Sequence, residues 1–190
     1  MGFSFKKAFM TPSDHLIFIG GPSGTGKTTI ATLLAQRLNG HYIEGDEYHP
    51  KANIDKMANG IPLTDEDRWP WLKKLNQVAV SSFSDMKFET DERYIIVSCS
   101  LLKKKYRDFI REQNRESPIS VKMFMLYDDF DQIYMRMTNR KGHYMKAGML
   151  KSQFADLELP KDDEASVGVF KVYCKNKDPS KIEAEIVQAL

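Results

Sequence analysis

Gly21-Pro22-Ser23-Gly24-Thr25-Gly26-Lys27-Thr28 fits the pattern G-x-x-x-x-G-K-[ST], and the fold follows from how this stretch is read. An apolar run, Leu16-Ile17-Phe18-Ile19, precedes it, and a helical pattern, Ile30-Ala31-Thr32-Leu33-Leu34-Ala35, follows. Strand, glycine loop and helix form the context in which such a loop cradles phosphates. Glycines let the backbone bend around a phosphate chain with successive N–H groups turned inward. The helix start adds unpaired N–H groups and the positive end of its dipole. Residues Gly21, Pro22, Ser23, Gly24, Thr25, Gly26, Lys27 and Thr28 are therefore expected to bind ATP. Lys27 is expected to reach the β- and γ-phosphates, and the Thr28 hydroxyl to ligate Mg²⁺. The bland alternative, a glycine-rich turn that binds nothing, leaves Lys and Thr in register unexplained.

Outward from the loop, apolar runs alternate with helical patterns. Strands are expected at Leu16–Ile19, His41–Ile43, Tyr94–Ser98, Ile119–Leu126 and Val167–Tyr173. Helices are expected at Lys27–Leu38, Arg68–Phe83, Leu101–Glu112, Phe130–Arg140 and Lys181–Ala189. This alternation predicts an α/β fold, a parallel sheet covered by helices on both faces. Thr64-Asp65-Glu66-Asp67 offers caps for the second helix, where Pro70 suits only a first turn. Asp178-Pro179 opens the last helix with a cap and an N1 proline. The expected buried stripes are Leu72, Leu75, Ala79 and Phe83; Leu102, Tyr106, Phe109 and Ile110; Phe130, Ile133, Tyr134 and Met137; and Ile182, Ile186 and Leu190.

At 190 residues the chain suits one domain, 14–190, after a poorly ordered leader, 1–13. A hydrophobic fraction of 42% and a charged fraction of 28% are ordinary for a globular protein. A net charge of +2 calls for no nucleic acid and does not repel small anions. Cys99 and Cys174 lack metal-ligand spacing and read as buried thiols in a reducing compartment. No apolar run has the length of a membrane span, and no signal-like stretch opens the chain. The expected setting is cytoplasmic.

The strand Tyr94–Ser98 runs into Cys99-Ser100, so it lacks the strand-end Asp of many mechanical ATPases. The shorter strand runs Tyr42-Ile43-Glu44-Gly45-Asp46 and ends at the sheet edge where open α/β sheets bind ligands. Asp46 is thus placed to accept the proton of an incoming hydroxyl or to hold a metal-bound water; capping the next segment is its structural alternative. His49, Lys56 and Arg68 add basic groups for an anionic acceptor. Arg107 is singled out from Lys103-Lys104-Lys105-Tyr106-Arg107, because bidentate recognition of a carboxylate wants a guanidinium. Lys104 and Lys105 read as a solvated helix face. These groups suit a small hydroxylated acid better than a nucleobase. Arg136 and Arg140, with Lys141-Gly142-His143, suggest an arginine-bearing mobile lid hinged at Gly142, whose guanidinium stabilises charge in phosphoryl transfer. Otherwise they are a basic helix end facing its own dipole.

Taken together, these stretches resemble the small gluconokinases of the P-loop type. The resemblance rests on Gly45-Asp46-Glu47-Tyr48-His49-Pro50-Lys51-Ala52-Asn53-Ile54-Asp55-Lys56-Met57 and on Gly60-Ile61-Pro62-Leu63-Thr64-Asp65-Glu66-Asp67-Arg68-Trp69-Pro70-Trp71-Leu72. It extends to Cys99-Ser100, Lys103 to Asp108, Arg140-Lys141-Gly142-His143-Tyr144 and Met149-Leu150-Lys151-Ser152-Gln153-Phe154, and runs from about Leu16 to the C-terminus. Tyr48 and Leu101 depart from the Leu and Ala of similar proteins. The resemblance implies ATP- and Mg²⁺-dependent phosphorylation of D-gluconate at its 6-hydroxyl. It further implies a three-layer P-loop kinase sandwich with five parallel strands in the order 2-3-1-4-5, and frequent homodimers. Catalytic roles are expected for Lys27, Asp46, Arg136 and Arg140. Acceptor binding is expected of Asp46, His49, Lys56, Arg68 and Arg107.

Other acceptors remain open at this point, including shikimate, adenylylsulfate or a nucleoside monophosphate. A nucleotide-dependent switch is a further alternative, although the guanine-reading pattern N-K-x-D fails, with Pro179 in its fourth position.

Overall fold

The computed structural model describes residues 13–138 and 147–190. Five strands, β1 (Ser13–Gly20), β2 (His41–Glu44), β3 (Glu92–Ser98), β4 (Ser120–Tyr127) and β5 (Val169–Tyr173), form one sheet in the order β2-β3-β1-β4-β5. All four pairings are parallel, with Leu16 opposite Ile95 on one side of β1 and Val121 on the other. The strand order implied by the resemblance is the one observed.

Parallel strands buried on both faces need apolar side chains in both directions, and β1 supplies them by alternation. Leu16 and Phe18 enter a core with Leu72, Leu75, Ile95, Val97, Tyr106, Ile110, Met123 and Met125. Ile17 and Ile19 enter the other, with Ile30, Leu34, Ile96, Phe124, Leu126, Ile182 and Ile186. The first core is closed by α3 (Asp65–Asp85) and α4 (Lys104–Gln113), the second by α1 (Lys27–Arg37) and α8 (Pro179–Gln188).

Between β2 and α3 lie a 3₁₀ turn (Gly45–Tyr48) and α2 (Lys51–Ala58); α5 (Phe130–Thr138), α6 (Ala147–Asp156) and α7 (Asp162–Ala165) separate β4 from β5. Helices α2, α6 and α7 are absent from the sequence reading. The apolar spacing of α2 is poor, because Asn53 is its buried residue.

Thr64 caps α3 in a capping box with Asp67, so the helix begins at Asp65. Pro70 consequently falls in the second turn rather than the first, removing the N–H that would bond the Glu66 carbonyl. Asp178 caps α8, with Pro179 in its first turn, as expected. Two stripes differ from expectation: Tyr134 on α5 is exposed while Ile133 is buried, and Leu190 lies partly exposed beyond α8. The expected leader, Arg140 and Gly142 lie outside the described residues, apart from the leader's last position, Ser13, which opens β1.

Candidate active site

The loop between β1 and α1 has the backbone that phosphate binding requires. Gly21, Gly24 and Gly26 all have positive φ, where a side chain is strained. At Gly21 a Cβ would meet the Leu126 carbonyl oxygen at 2.2 Å. At Gly24 it would press on Met137 and Ile133, so α5 packs directly on the loop. Gly26 stands in the N-cap position of α1 in left-handed conformation, with no side-chain cap on the helix. The first N–H groups of α1 thus point into the loop with their dipole.

Lys27 donates from Nζ to the Pro22 carbonyl at 3.1 Å, and Thr25 Oγ1 donates to the same oxygen at 2.8 Å. Burial pulls the Lys27 ammonium below its ordinary pKa, while Asp46 and then Glu44 pull it back up. These carboxylates come from the end of β2 and the turn after it. Asp46 opens on a cavity also lined by Ser23, Lys27, His49, Met57, Arg68, Trp71, Ser100, Met149, Ser152 and Gln153. Its carboxyl pKa is raised by the surrounding protein, against the pull of Lys27.

Glu44 is the residue that sequence reading missed. Its Oε2 accepts from Thr28 Oγ1 at 2.9 Å and Tyr42 OH at 2.5 Å, and its Oε1 accepts from Ser98 Oγ. Burial raises its pKa, but the Ser98, Tyr42 and Thr28 hydroxyls outweigh this and hold it below the ordinary carboxylate value. The available clue was its place on the same strand end as Asp46, two residues earlier.

His49 stacks on Trp71 with ring centroids 3.9 Å apart. Asn53 Nδ2 donates to His49 Nδ1 at 3.3 Å and to the Asp67 carbonyl at 2.8 Å. Because the amide nitrogen can only donate, Nδ1 accepts and the ring proton sits on Nε2, which lies 3.9 Å from Asp46 Oδ1. Burial first, and Arg68 second, push the His49 pKa down to about 4, so the ring is neutral near pH 7. Arg68 is buried and reaches Leu63 O at 3.4 Å and Asp156 Oδ2 at 3.7 Å, while its Nε has no protein partner. The orphaned N–H belongs to a guanidinium that lines the cavity, and a cation there suits an anionic ligand.

Two expected acceptor residues stand elsewhere. Arg107 has no exposed surface; its Nε and Nη2 grip both Glu164 oxygens at 3.0 Å, and Nη1 donates to the Glu158 carbonyl at 2.9 Å. The guanidinium does bind a carboxylate bidentately, but the carboxylate belongs to the protein. Lys56 donates to both Asp67 oxygens, at 2.7 and 2.8 Å, and its neighbour Met57 lines the cavity instead. Arg136 lies on the other side of the loop, 2.7 Å from Asp128, in a hollow lined by Gly24, Thr25, Gly26, Thr29, Ile30, Cys174, Lys177, Pro179 and Ile182. The carboxyl edge of the sheet thus carries two recesses that share the phosphate loop.

Residues 17–120, more than half of the chain, match the cytidylate kinase family model. A probable gluconokinase of Saccharomyces cerevisiae is 44% identical over 181 residues, covering 92% of this chain and 90% of the yeast protein. The thermosensitive gluconokinase of Escherichia coli is 46% identical over 147 residues, covering 77% and 73%. Among solved structures, a gluconokinase from Sinorhizobium meliloti superposes with a TM-score of 0.75 at 32% identity, covering 94% of this chain and 91% of that one. With P-loop geometry, strand order and chain-long identity in agreement, the protein belongs to the gluconokinase family.

Proposed function

We infer that the protein transfers the γ-phosphoryl group of ATP to the 6-hydroxyl of D-gluconate, giving ADP and 6-phosphogluconate. The observation that carries this is the convergence of Lys27, Asp46 and Arg68 on one cavity beside the phosphate loop. A loop cation next to a strand-end carboxylate serves transfer to a hydroxyl, and a buried arginine suits an acid.

Asp46 takes the proton as O6 attacks the γ-phosphorus and the bond to the bridging oxygen breaks. Its raised pKa brings the carboxylate nearer to a working base. Lys27 neutralises charge on the phosphate oxygens. Arg68 holds the gluconate carboxylate with its guanidinium, and His49 Nε2–H donates to a sugar hydroxyl. The adenine base occupies the hollow between Arg136 and the Lys177-Pro179 side, which fits Arg136 to the nucleotide rather than to the acceptor.

Mg²⁺ fits the donors at Thr28 and Glu44: a hydroxyl and an ionised carboxylate in hydrogen-bond contact form the hard oxygen pair this ion takes alongside phosphates and water. When bound there, the ion supplies charge neutralisation of the triphosphate. Cys99 and Cys174 are buried free thiols, which suits work in the cytoplasm. No helix among the described residues is long and apolar enough to cross a membrane.

The test is steady-state turnover with gluconate, shikimate, adenylylsulfate and cytidine monophosphate as acceptors. Gluconate should be phosphorylated with a clear preference, and Asp46→Asn should depress kcat by about 10²-fold or more with little change in ATP KM. Turnover of another acceptor without gluconate phosphorylation refutes the assignment.

A further inference from the structure

Gln153 takes no part in the roles above. It lies on α6 in Met149-Leu150-Lys151-Ser152-Gln153-Phe154, and its side chain crosses to the phosphate loop. Its Oε1 accepts the Ser23 N–H at 2.8 Å, and its Nε2 donates to Ser23 Oγ at 3.1 Å. Both ends of one amide are therefore engaged by the backbone N–H and the hydroxyl of a single residue 130 positions away. Ser23 and Gln153 line the acceptor cavity together with Lys27 and Asp46. Met149 and Ser152, also on α6, extend the same wall.

We propose that Gln153 is a positioning residue that pins the α6 wall of the acceptor cavity to the phosphate loop at Ser23, so that the transferring phosphoryl group meets the acceptor hydroxyl and not water. Two physical features favour this. The loop between Gly21 and Gly26 holds three glycines at positive φ, so its shape needs outside support. Pro22 gives that support from within, its carbonyl accepting from Lys27 and Thr25; Gln153 gives it from outside, one residue later. The carboxamide is also the group the position needs. It accepts from an N–H and donates to a hydroxyl at once without adding charge beside the phosphates. At its far end α6 is held by Asp156, 3.0 Å from Lys103 and 3.7 Å from Arg68. The cavity wall is thus tied to the nucleotide loop at Gln153 and to the acceptor-binding arginine at Asp156.

The consequence for transfer rests on the gluconate kinase reading, whereas the pin itself does not, and the experiment separates them. In Gln153→Ala, hydrogen–deuterium exchange of the peptide containing Ser23 should accelerate about tenfold relative to wild type with no substrate present. With ATP and gluconate, kcat should fall and gluconate KM rise, each about tenfold, while ATP KM stays within about twofold. ATP consumed per 6-phosphogluconate formed should rise above one. Gln153→Glu, which reaches as far but adds charge, should not restore the ratio. Adding Ser23→Ala to Gln153→Ala should cost less than Ser23→Ala costs alone, because the partner is already lost. Unchanged exchange at Ser23 overturns the pin. A lowered melting temperature with unchanged KM values and a one-to-one ratio reduces Gln153 to a structural contact and overturns the proposal. A wild type that phosphorylates no gluconate refutes the functional reading alone, and the exchange measurement still decides the pin.

Discussion

His49 lies buried between Trp71, Asn53 and Arg68, and the cost of charging it there sets its behaviour. In the unfolded chain this ring takes up a proton near 6.5; in the folded one burial, reinforced by Arg68, delays that to about 4. Between those values the unfolded state binds more protons, so stability falls as pH drops through the window. The loss is at most about 3 kcal/mol. Thermal melts should therefore show a smaller drop between pH 7 and pH 4.5 for His49→Gln than for wild type. At the same scale, the placement of Asp46 beside Lys27 was legible, because the strand that carries it ends at the same edge of the sheet as the phosphate loop. Glu44 was not, since its role depends on hydroxyls at positions 28, 42 and 98 that only folding brings together. Arg107 misled for the same reason: its partner, Glu164, is 57 residues away.

Helix α4 is fastened to α7 by that Arg107–Glu164 pair, and the two ions are almost wholly out of water. Glu164 Oε1 also accepts the Lys161 N–H at 3.1 Å, so the pair organises the start of α7. Removing one partner strands the other, a cost of about 3–5 kcal/mol. Arg107→Met should accordingly lower the denaturation midpoint in urea while leaving the gluconate KM unchanged. Adding Glu164→Gln should recover part of the loss. A raised KM would return Arg107 to the acceptor. Elements with strong periodicity, such as α3 with Leu72, Leu75, Ala79 and Phe83 buried, were legible from spacing alone. Helices α2 and α6 were not. Among the described residues neither contributes to the two cores, and each lines the cavity instead, through Met57 from α2 and through Met149, Ser152 and Gln153 from α6.

Across the whole molecule, every described strand runs the same way, and β1 lies between β3 and β4. The near-continuous apolar runs made this arrangement legible, since such strands can only be buried on both faces. The lengths and turns of the connections were less so, because the packing of the core does not set them. Parallel direction also sorts those connections into two rims. Turns leaving the strands carry the phosphate loop, Asp46 and Ser100. Those entering them, around residues 38–40, 86–91, 114–119 and 166–168, contribute no side chain to either recess. That second rim is a natural handle: a fluorophore, a surface tether or an inserted peptide at 86–91 should leave turnover near wild type. The same insert at 99–103 should abolish it, and the two variants together would map the molecule's working side.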